Sequence, residues 1–272
     1  MEHKLCLIVP FRDSMEMLFH FVPHMSKFLS KKEIKHSIFV VNQADDGDGD
    51  GRGRLRFNRA SLMNVGFLYA TRSDPECDYV GLHHVDYFPL SEDLSYKFPL
   101  SGPVHFQAVK HHYATFIGGV LLMTVADFEL IGGFSNQYWG WGLEDDELYH
   151  RLIDAGITVQ RPEGILIKHI HGSGSPDRDK KWCNKQWDRT RRRDREGGFR
   201  TVDYDIESIE QNSIEGYSFQ LLNVALKCNK SETPWCDPNC EPVKAGCSRG
   251  CDPIRKEDDI RPGASQKKAT KT

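Results

Sequence analysis

Apolar positions in the first part of the chain alternate between continuous runs and helical spacing. The run at 5–9 is long enough for a strand that is buried on both faces. Apolar residues then recur at helical spacing from Met15 to Leu29, with Pro23 as a predicted kink, and a second short strand follows at 38–41. A strand, a helix and a strand in this order predict a parallel sheet with right-handed crossovers, whose ligands bind at the carboxyl ends of the strands.

The same pattern continues in the middle of the chain. A helix is predicted to open at 57–60 and a buried strand at 79–82. The apolar stretch 115–123 reads as a strand that is interrupted by Gly118 and Gly119. Glycines inside a strand indicate a bulge or the close approach of a ligand, and packing against another backbone explains them equally well.

The stretch from Trp139 to Glu147 is the centre of the predicted site. It places two tryptophans between glycines and then four consecutive acids. The apolar spacing that follows predicts a helix that begins at these acids and ends near Gly156. The helix dipole stabilises carboxylates in the first turn. This arrangement suits a site that stacks a sugar and removes a proton from its hydroxyl; the alternative is that the acids only cap the helix.

Three further side chains predict a metal site. Asp86 follows the strand at 79–82, where it is placed either to hold a divalent cation or to form a turn. His169 and His171 lie two positions apart in a predicted strand, so both side chains point to one face. Two imidazoles and one carboxylate suit manganese, iron or zinc. The alternative is that the histidines form an ordinary surface or core pair.

Composition sets the outer limits of the class of protein. The chain has 272 residues, of which 39% are hydrophobic and 28% charged, enough for one sizeable domain or one domain with a tail. A net charge of -3 argues against a nucleic-acid partner. No apolar run of about 18 residues predicts a membrane span, and the first residues lack the apolar core of a signal peptide.

Cysteine usage points to the secretory pathway. Five of the eight cysteines lie in the last 45 residues, which is more typical of an oxidising compartment than of the cytosol. The triplet Asn229-Lys230-Ser231 is an acceptor sequence for glycosylation. We therefore expect a targeting segment upstream of residue 1.

Two segments fall outside the predicted elements. Residues 44–56 are rich in glycine and charge and are predicted to be a flexible surface insertion; their Asp-Gly alternation lacks the distal glutamate of a calcium loop. Residues 237–272 are polar, carry cysteines and are predicted to be a disordered tail. The Cys-x3-Cys units around the start of this tail favour disulfides, with zinc binding as the alternative.

Motifs spread along the chain carry a resemblance to a known family. They are Val9–Arg12, Phe57–Ala60, Val85–Asp86, Gly118–Gly119, Phe134–Asn136, Trp139–Asp146 and His169–His171. In their order and approximate spacing they resemble the beta-1,4-galactosyltransferase family, over residues 4 to about 236. Glu144–Glu147, the His-x-His pair, Arg195–Gly198 and Thr233–Cys236 resemble the xylosylprotein branch of that family.

The resemblance implies an α/β catalytic domain over residues 1–236. Its fold would be GT-A, a Rossmann-like, mixed and largely parallel sheet flanked by helices. The cofactor would be manganese (Mn2+), the donor UDP-galactose, and the acceptor a xylosylated protein of the proteoglycan linker or another sugar. The enzyme would work in the Golgi lumen, with membrane contact only through a type II anchor that this chain does not contain.

The resemblance also implies a role for individual residues. Asp145 would be the catalytic base, and Asp86, His169 and His171 the metal ligands. The donor site would be formed by Pro10, Phe11, Arg12, Phe57, Asn58, Arg59, His84, Val85, Trp141 and Arg178. The acceptor site would be formed by Tyr113, Glu144 and Asp146. The basic stretch 177–195 would be a solvated helix face or, alternatively, a loop that closes over UDP.

The chain departs from the family pattern at three positions. His84 replaces the first aspartate of Asp-Val-Asp, Ser14 replaces a cation, and His111 replaces a tyrosine. These changes suggest that metal binding through Asp86 survives while donor affinity is lowered or differently tuned. They also motivate the alternative function, a nucleotide- or glycan-binding protein of weak or absent activity on the same fold.

Overall fold

A computed structural model describes residues 3–44, 54–106, 115–164, 167–170, 182–183, 185–190 and 192–242. The strands are β1 (Lys4–Phe11), β2 (Lys35–Gln43), β3 (Cys77–His83), β4 (Tyr87–Pro89), β5 (Val104–Phe106), β6 (Val120–Thr124), β7 (Ile167–His169), β8 (Tyr204–Ile214) and β9 (Tyr217–Leu226). The helices are α1 (Met15–Lys31), α2 (Arg59–Ser73), α3 (Val125–Leu130), α4 (Glu144–Asp154) and α5 (Gln186–Thr190), with a short 3-10 helix at Pro234–Cys236.

A seven-stranded mixed sheet forms the centre of the molecule. Its order is β5-β6-β3-β1-β2-β9-β8, and the four central strands β3, β1, β2 and β9 run parallel. The outer pairs β3–β6, β5–β6 and β8–β9 are antiparallel. A second, two-stranded sheet pairs β4 with β7. The predicted parallel sheet with carboxyl ends at one edge is therefore present.

Strand β1 explains how the sheet holds both layers of helices. Its residues alternate between two hydrophobic clusters: Cys6 and Ile8 pack with α2, whereas Leu7 and Val9 pack with α1. All four side chains are fully buried, which is why the sequence shows a continuous apolar run. Helix α1 continues through Pro23 to its end at Lys31.

The β8–β9 hairpin has no counterpart among the predicted elements. Strand β9 pairs in parallel with β2, and β8 closes this edge of the sheet. Glu215 and Gly216 both have positive φ, 51° and 82°, as a two-residue hairpin turn requires. Strand β8 is largely exposed and charged, so it carries no apolar run.

Three predicted boundaries are wrong. Strand β6 begins at Val120, so Gly118 and Gly119 precede it instead of interrupting it. Arg56, at the end of the predicted insertion 44–56, is buried, and its Nη1 donates to Gln186 Oε1 at 2.9 Å. Cys240, inside the predicted tail 237–272, forms a disulfide with Cys183.

Disulfides join distant parts of the described chain. Cys6 is linked to Cys77, which joins β1 to β3, and Cys228 is linked to Cys236. The preference for disulfides over zinc is therefore confirmed for Cys236 and Cys240, whereas Cys247 and Cys251 lie outside the described residues. In the described part of the chain, no helix combines the length and apolar character that crossing a membrane requires.

Candidate active site

The carboxyl end of β1 meets the start of α2. Pro10 and Phe11 are buried at the end of the strand. Arg12 Nη1 donates to the Leu55 carbonyl at 2.9 Å, and its guanidinium lies 5.1 Å from the centroid of the Phe57 ring. The Phe57 carbonyl in turn accepts from Gly140 N at 2.8 Å. The predicted donor residues Arg12 and Phe57 therefore lie together, beside the loop of the two tryptophans.

Asn58 is a helix cap whose side chain is engaged within the protein. Its Oδ1 accepts from Ser61 N at 2.9 Å, and its Nδ2 donates to the Asn136 carbonyl at 2.9 Å. Gln43 Oε1 accepts from Asn58 N at 2.8 Å. Because Asn58 is fully buried, it fixes the start of α2 and the residue that follows it.

That following residue, Arg59, lies between two acids of α4. Its Nε donates to Glu144 Oε1 at 3.1 Å, and its Nη2 forms an ion pair with Asp145 Oδ1. Burial lowers the pKa of Arg59, but the charges of Asp145 and Glu144 outweigh burial, so the pKa is raised overall. Arg59 was predicted to bind the donor; in the structure it pairs with the predicted base, Asp145, and with the predicted acceptor residue Glu144.

The predicted helix start at the acids is confirmed, since α4 begins at Glu144. Burial raises the pKa of Glu144, Arg59 lowers it, Asp145 raises it again, and the net shift is upward. Glu144 Oε2 is buried without a hydrogen-bond partner in the described part of the chain. Asp146 is also buried and accepts a hydrogen bond from Thr115 Oγ1.

Gly118 and Gly119 connect the acids to the end of β3. A β-carbon at Gly118 would overlap Asp145 Oδ2, and one at Gly119 would overlap the Tyr87 ring. The Gly119 carbonyl accepts from His84 N at 2.9 Å. The space at the two glycines is therefore taken by protein side chains, those of Asp145 and Tyr87, and the adjacent residues Gly118 and Gly119 contact both Asp145 and the backbone of His84.

Two of the three predicted metal ligands lie together. His169 Nε2 is 2.7 Å from Asp86 Oδ2, and the His169 ring stacks on Tyr87 with centroids 4.6 Å apart. His84 Nδ1 is 3.9 Å from the other oxygen of Asp86. Burial raises the pKa of Asp86, but the His169 hydrogen bond and the His84 and His169 charges outweigh it, so the pKa is lowered. Asp86 therefore remains a carboxylate.

The third predicted ligand, His171, lies outside the described residues, as do Tyr113 and Arg178. Among the described residues alone, no three side chains of the kinds that bind metals come together. Asp86 and His169 nevertheless bring one carboxylate oxygen and one imidazole nitrogen together, and these two kinds of ligand suit manganese. Val85, a residue predicted to bind the sugar donor, is half-buried in the segment that follows β3.

The two tryptophans have different roles. Trp139 is only 3% exposed and packs in the hydrophobic core, so the idea that both indoles belong to the site is wrong for this residue. Trp141 is 47% exposed and remains available to a ligand. Gly140, between them, leaves room for the Arg56 guanidinium, and Gly142, after Trp141, has a φ of 110° that favours glycine.

Glu147, the last of the four acids, belongs to a buried ion network instead of the site. It is fully buried and accepts from Arg151 Nε at 3.2 Å and Arg193 Nε at 3.0 Å. Arg193 belongs to the basic stretch 177–195 and also pairs with Asp154 at 2.9 Å. The interpretation of this stretch as a solvated face is therefore wrong at Arg193, although Arg189, Arg192 and Arg195 are exposed.

Comparisons with known proteins agree on the class of this chain. Residues 1–99 match the family described as N-terminal region of glycosyl transferase group 7, and residues 104–172 match the N-terminal domain of galactosyltransferase. Beta-1,4-galactosyltransferase 7 of Drosophila melanogaster is 43% identical over 90% of this chain and 76% of its own length. The xylosylprotein 4-beta-galactosyltransferase of Caenorhabditis elegans is 42% identical over 86% of this chain and 82% of its own length.

A solved structure shows the fold as well. A mutant of the Drosophila beta-1,4-galactosyltransferase 7, in complex with manganese, UDP-Gal and xylobiose, superposes with a TM-score of 0.79 at 42% identity, covering 87% of this chain and 99% of that one. The fold is therefore that of a galactosyltransferase catalytic domain, and the predicted GT-A class is confirmed. The chain belongs to the beta-1,4-galactosyltransferase family, as its motifs indicated.

Proposed function

We propose that this chain transfers galactose from UDP-galactose to the 4-hydroxyl of an acceptor sugar, the xylose of a xylosylated protein, with inversion and with manganese as cofactor. The observation that carries the proposal is that adjacent glycines join the two parts of the site: Gly118 packs against Asp145, and the Gly119 carbonyl accepts from His84 N, two residues before the Asp86 that pairs with His169. The bound manganese, UDP-Gal and xylobiose of the Drosophila structure and the xylosylprotein name of the nematode relative support the choice of substrates.

The described residues support a role for each part of the site. Asp145 is the base, because Arg59 keeps a positive charge beside its Oδ1 and Gly118 leaves space at its Oδ2. Glu144 and Asp146 flank it on the acceptor side. Glu144 Oε2 is a buried acceptor that a sugar hydroxyl satisfies, and Trp141 offers an exposed ring on which a sugar stacks.

The reaction is a single displacement. The acceptor hydroxyl oxygen forms a bond to the anomeric carbon of galactose while its proton passes to Asp145, and the bond to UDP breaks with its electron pair leaving on the diphosphate. Asp86 and His169, together with His171 from outside the described residues, would hold a manganese ion, which would supply charge neutralisation for that leaving group. Arg12 and Phe57 line the donor side, where a stacked ring and a cation suit a nucleotide.

A transfer assay tests the proposal directly. Purified protein is incubated with UDP-galactose and either a xyloside or an N-acetylglucosamine acceptor, with and without manganese. We expect galactosyl-xyloside only when manganese is present. Donor binding without transfer to either acceptor would instead support the binding-protein function that His84 and Ser14 suggested.

We also propose that the enzyme works in the Golgi lumen. Its relatives include a xylosylprotein 4-beta-galactosyltransferase, and transfer of sugar to protein is typical of the secretory pathway. Disulfides such as Cys6–Cys77 and Cys183–Cys240 form in oxidising compartments, and Asn229 of the glycosylation triplet is exposed. Immunofluorescence of the tagged full-length protein beside a Golgi marker tests this location.

Asp86→Asn is expected to weaken manganese binding. The substitution keeps the shape of the side chain but removes the charge that His169 and His84 now share. Changing a residue that only hydrogen-bonds to a metal ligand reduces metal affinity by about 10- to 100-fold, so loss of a direct ligand is expected to cost at least about 100-fold. Calorimetric titration with manganese measures it without turnover. The exposed Asp93 provides the control Asp93→Asn, and equal affinities for both variants would remove Asp86 from the metal site.

Arg59→Gln is expected to move the acidic limb of the pH–rate profile to higher pH. Burial already raises the pKa of Glu144, and the positive charge of Arg59 partly opposes that rise. Without Arg59, Glu144 gains a proton at a higher pH, so the active ionised form is lost earlier as pH falls. The profile of kcat/KM against pH measures the shift. Arg200→Gln is the control, since Arg200 is exposed and lies over Phe199; an unchanged limb in Arg59→Gln would contradict the expectation.

A further inference from the structure

A buried histidine outside the predicted site contacts the turn that supports the catalytic carboxylate. His105 lies on β5, is fully buried, and donates from Nε2 to the Gly118 carbonyl at 2.8 Å. Gly118 is the residue on which Asp145 Oδ2 packs. A single backbone unit therefore separates the imidazole from the proposed base.

The backbone of His105 is held in the sheet. In the antiparallel β5–β6 pair it stands opposite Leu121, and its backbone N–H donates to the Gln160 carbonyl at 2.9 Å. Gly118 precedes β6 and, within the described residues, belongs to no strand. The side-chain hydrogen bond consequently ties a loop residue to a fixed strand.

The loop from Thr115 to Gly119 contacts the site at several points. Thr115 Oγ1 donates to Asp146, Gly118 packs against Asp145, and the Gly119 carbonyl accepts from His84 N at 2.9 Å. A shift of this loop would move the acids relative to the metal side. Misplacement of reacting groups by about 1 Å can cost about 100-fold in rate.

We infer that His105 is a positioning residue for Asp145, acting through the Gly118 carbonyl. The hydrogen bond fixes the position of Gly118 relative to the Asp145 carboxylate. It thereby fixes the distance between the base and the acceptor hydroxyl. The inference rests on the proposed transferase function for its kinetic consequences, but its structural part, restraint of the loop and of the α4 start, does not depend on turnover.

Three substitutions separate positioning from simple stabilisation. His105→Leu removes the donor, and His105→Asn carries an amide too short to reach Gly118 O, so each is expected to lower kcat about 10- to 100-fold with little change in the KM for UDP-galactose. His105→Gln places an amide N–H near the position of Nε2 and is expected to restore most of kcat. Failure of Gln to exceed Leu and Asn would overturn the inference.

A matched control comes from the same sheet. Tyr79 is buried and its hydroxyl donates to the Tyr96 carbonyl at 2.8 Å, so Tyr79→Phe removes an equivalent side-chain-to-backbone bond away from the acids. We expect a similar loss of melting temperature to that of His105→Leu but an unchanged kcat. An equal loss of kcat in Tyr79→Phe would assign the effect to general stability.

Hydrogen exchange gives a readout that holds even if the wild-type protein shows no transfer. Peptides that cover 115–119 and 143–147 are expected to exchange faster in His105→Leu and His105→Asn than in Tyr79→Phe or the wild type. Exchange that is unchanged in these peptides would overturn the inference. Absence of wild-type turnover together with faster exchange would refute only the proposed function.

Discussion

Asp145→Asn is expected to abolish nearly all galactose transfer while the protein still folds and binds UDP with manganese. The amide keeps the size of the carboxylate, and its oxygen still accepts from Arg59 at the position of Oδ1. It has no basicity, however, with which to take the proton of the acceptor hydroxyl. General base catalysis contributes about 10²- to 10⁴-fold, so kcat should fall by that factor.

The control for Asp145→Asn is the same substitution at the other end of the helix. Asp154 is the last residue of α4 and pairs with Arg193 at 2.9 Å. Asp154→Asn should lose little kcat, because its carboxylate pairs with Arg193 and Arg195 at the far end of the helix from Asp145. Initial rates with a xyloside acceptor and calorimetric titration with UDP are the two measurements. If Asp145→Asn keeps more than about a tenth of the wild-type kcat, another group is the base.

The main features of the site could be predicted from the sequence because they depend on local patterns. Four acids at the start of a helical pattern fix the position of Asp145, and the apolar run before His84–Asp86 fixes the end of β3. A two-residue spacing assigns His169 to a strand. These inferences need only the periods of the helix and the strand.

The contacts that tune the site are long-range and leave no local pattern. Arg59 and Glu144 are 85 positions apart, and nothing in the motif around Arg59 distinguishes a ligand-binding cation from one that pairs with acids. Trp139 and Trp141 are separated only by Gly140 but differ in burial, because only Trp139 belongs to the hydrophobic core. Topology decides these cases.

Arg56 illustrates a further limit. It ends a glycine-rich, charged segment, and such composition favours surface exposure. In the structure its guanidinium donates to Gln186 Oε1 and to the Trp235 carbonyl at 3.0 Å, and Gly140 provides the space. Burial of the arginine depends on residues that join it only after folding, so composition alone assigns it to the wrong environment.

Glu147→Ala is expected to have the largest effect on stability. The carboxylate is fully buried between Arg151 and Arg193, whose side chains are 8% and 9% exposed. Its removal leaves two guanidinium groups with less compensation in a site that excludes water. Breaking a buried ion pair by removing one partner costs about 3–5 kcal/mol, so the free energy of unfolding should fall by that amount.

The consequence reaches the active site because Glu147 lies on the first turn of α4, beside Asp145 and Asp146. Asp194 N also donates to Glu147 Oε1, at 3.3 Å, so the carboxylate ties this turn to residues 193–194. Urea unfolding of Glu147→Ala measures the loss, with the exposed Glu129→Ala, expected within about 0.5 kcal/mol of the wild type, as the control. If the two variants were equally stable, the remaining partners would be enough for both arginines: the Gly133 and Asp194 carbonyls for Arg151, and Asp154 for Arg193. The start of the helix would then be held by other contacts.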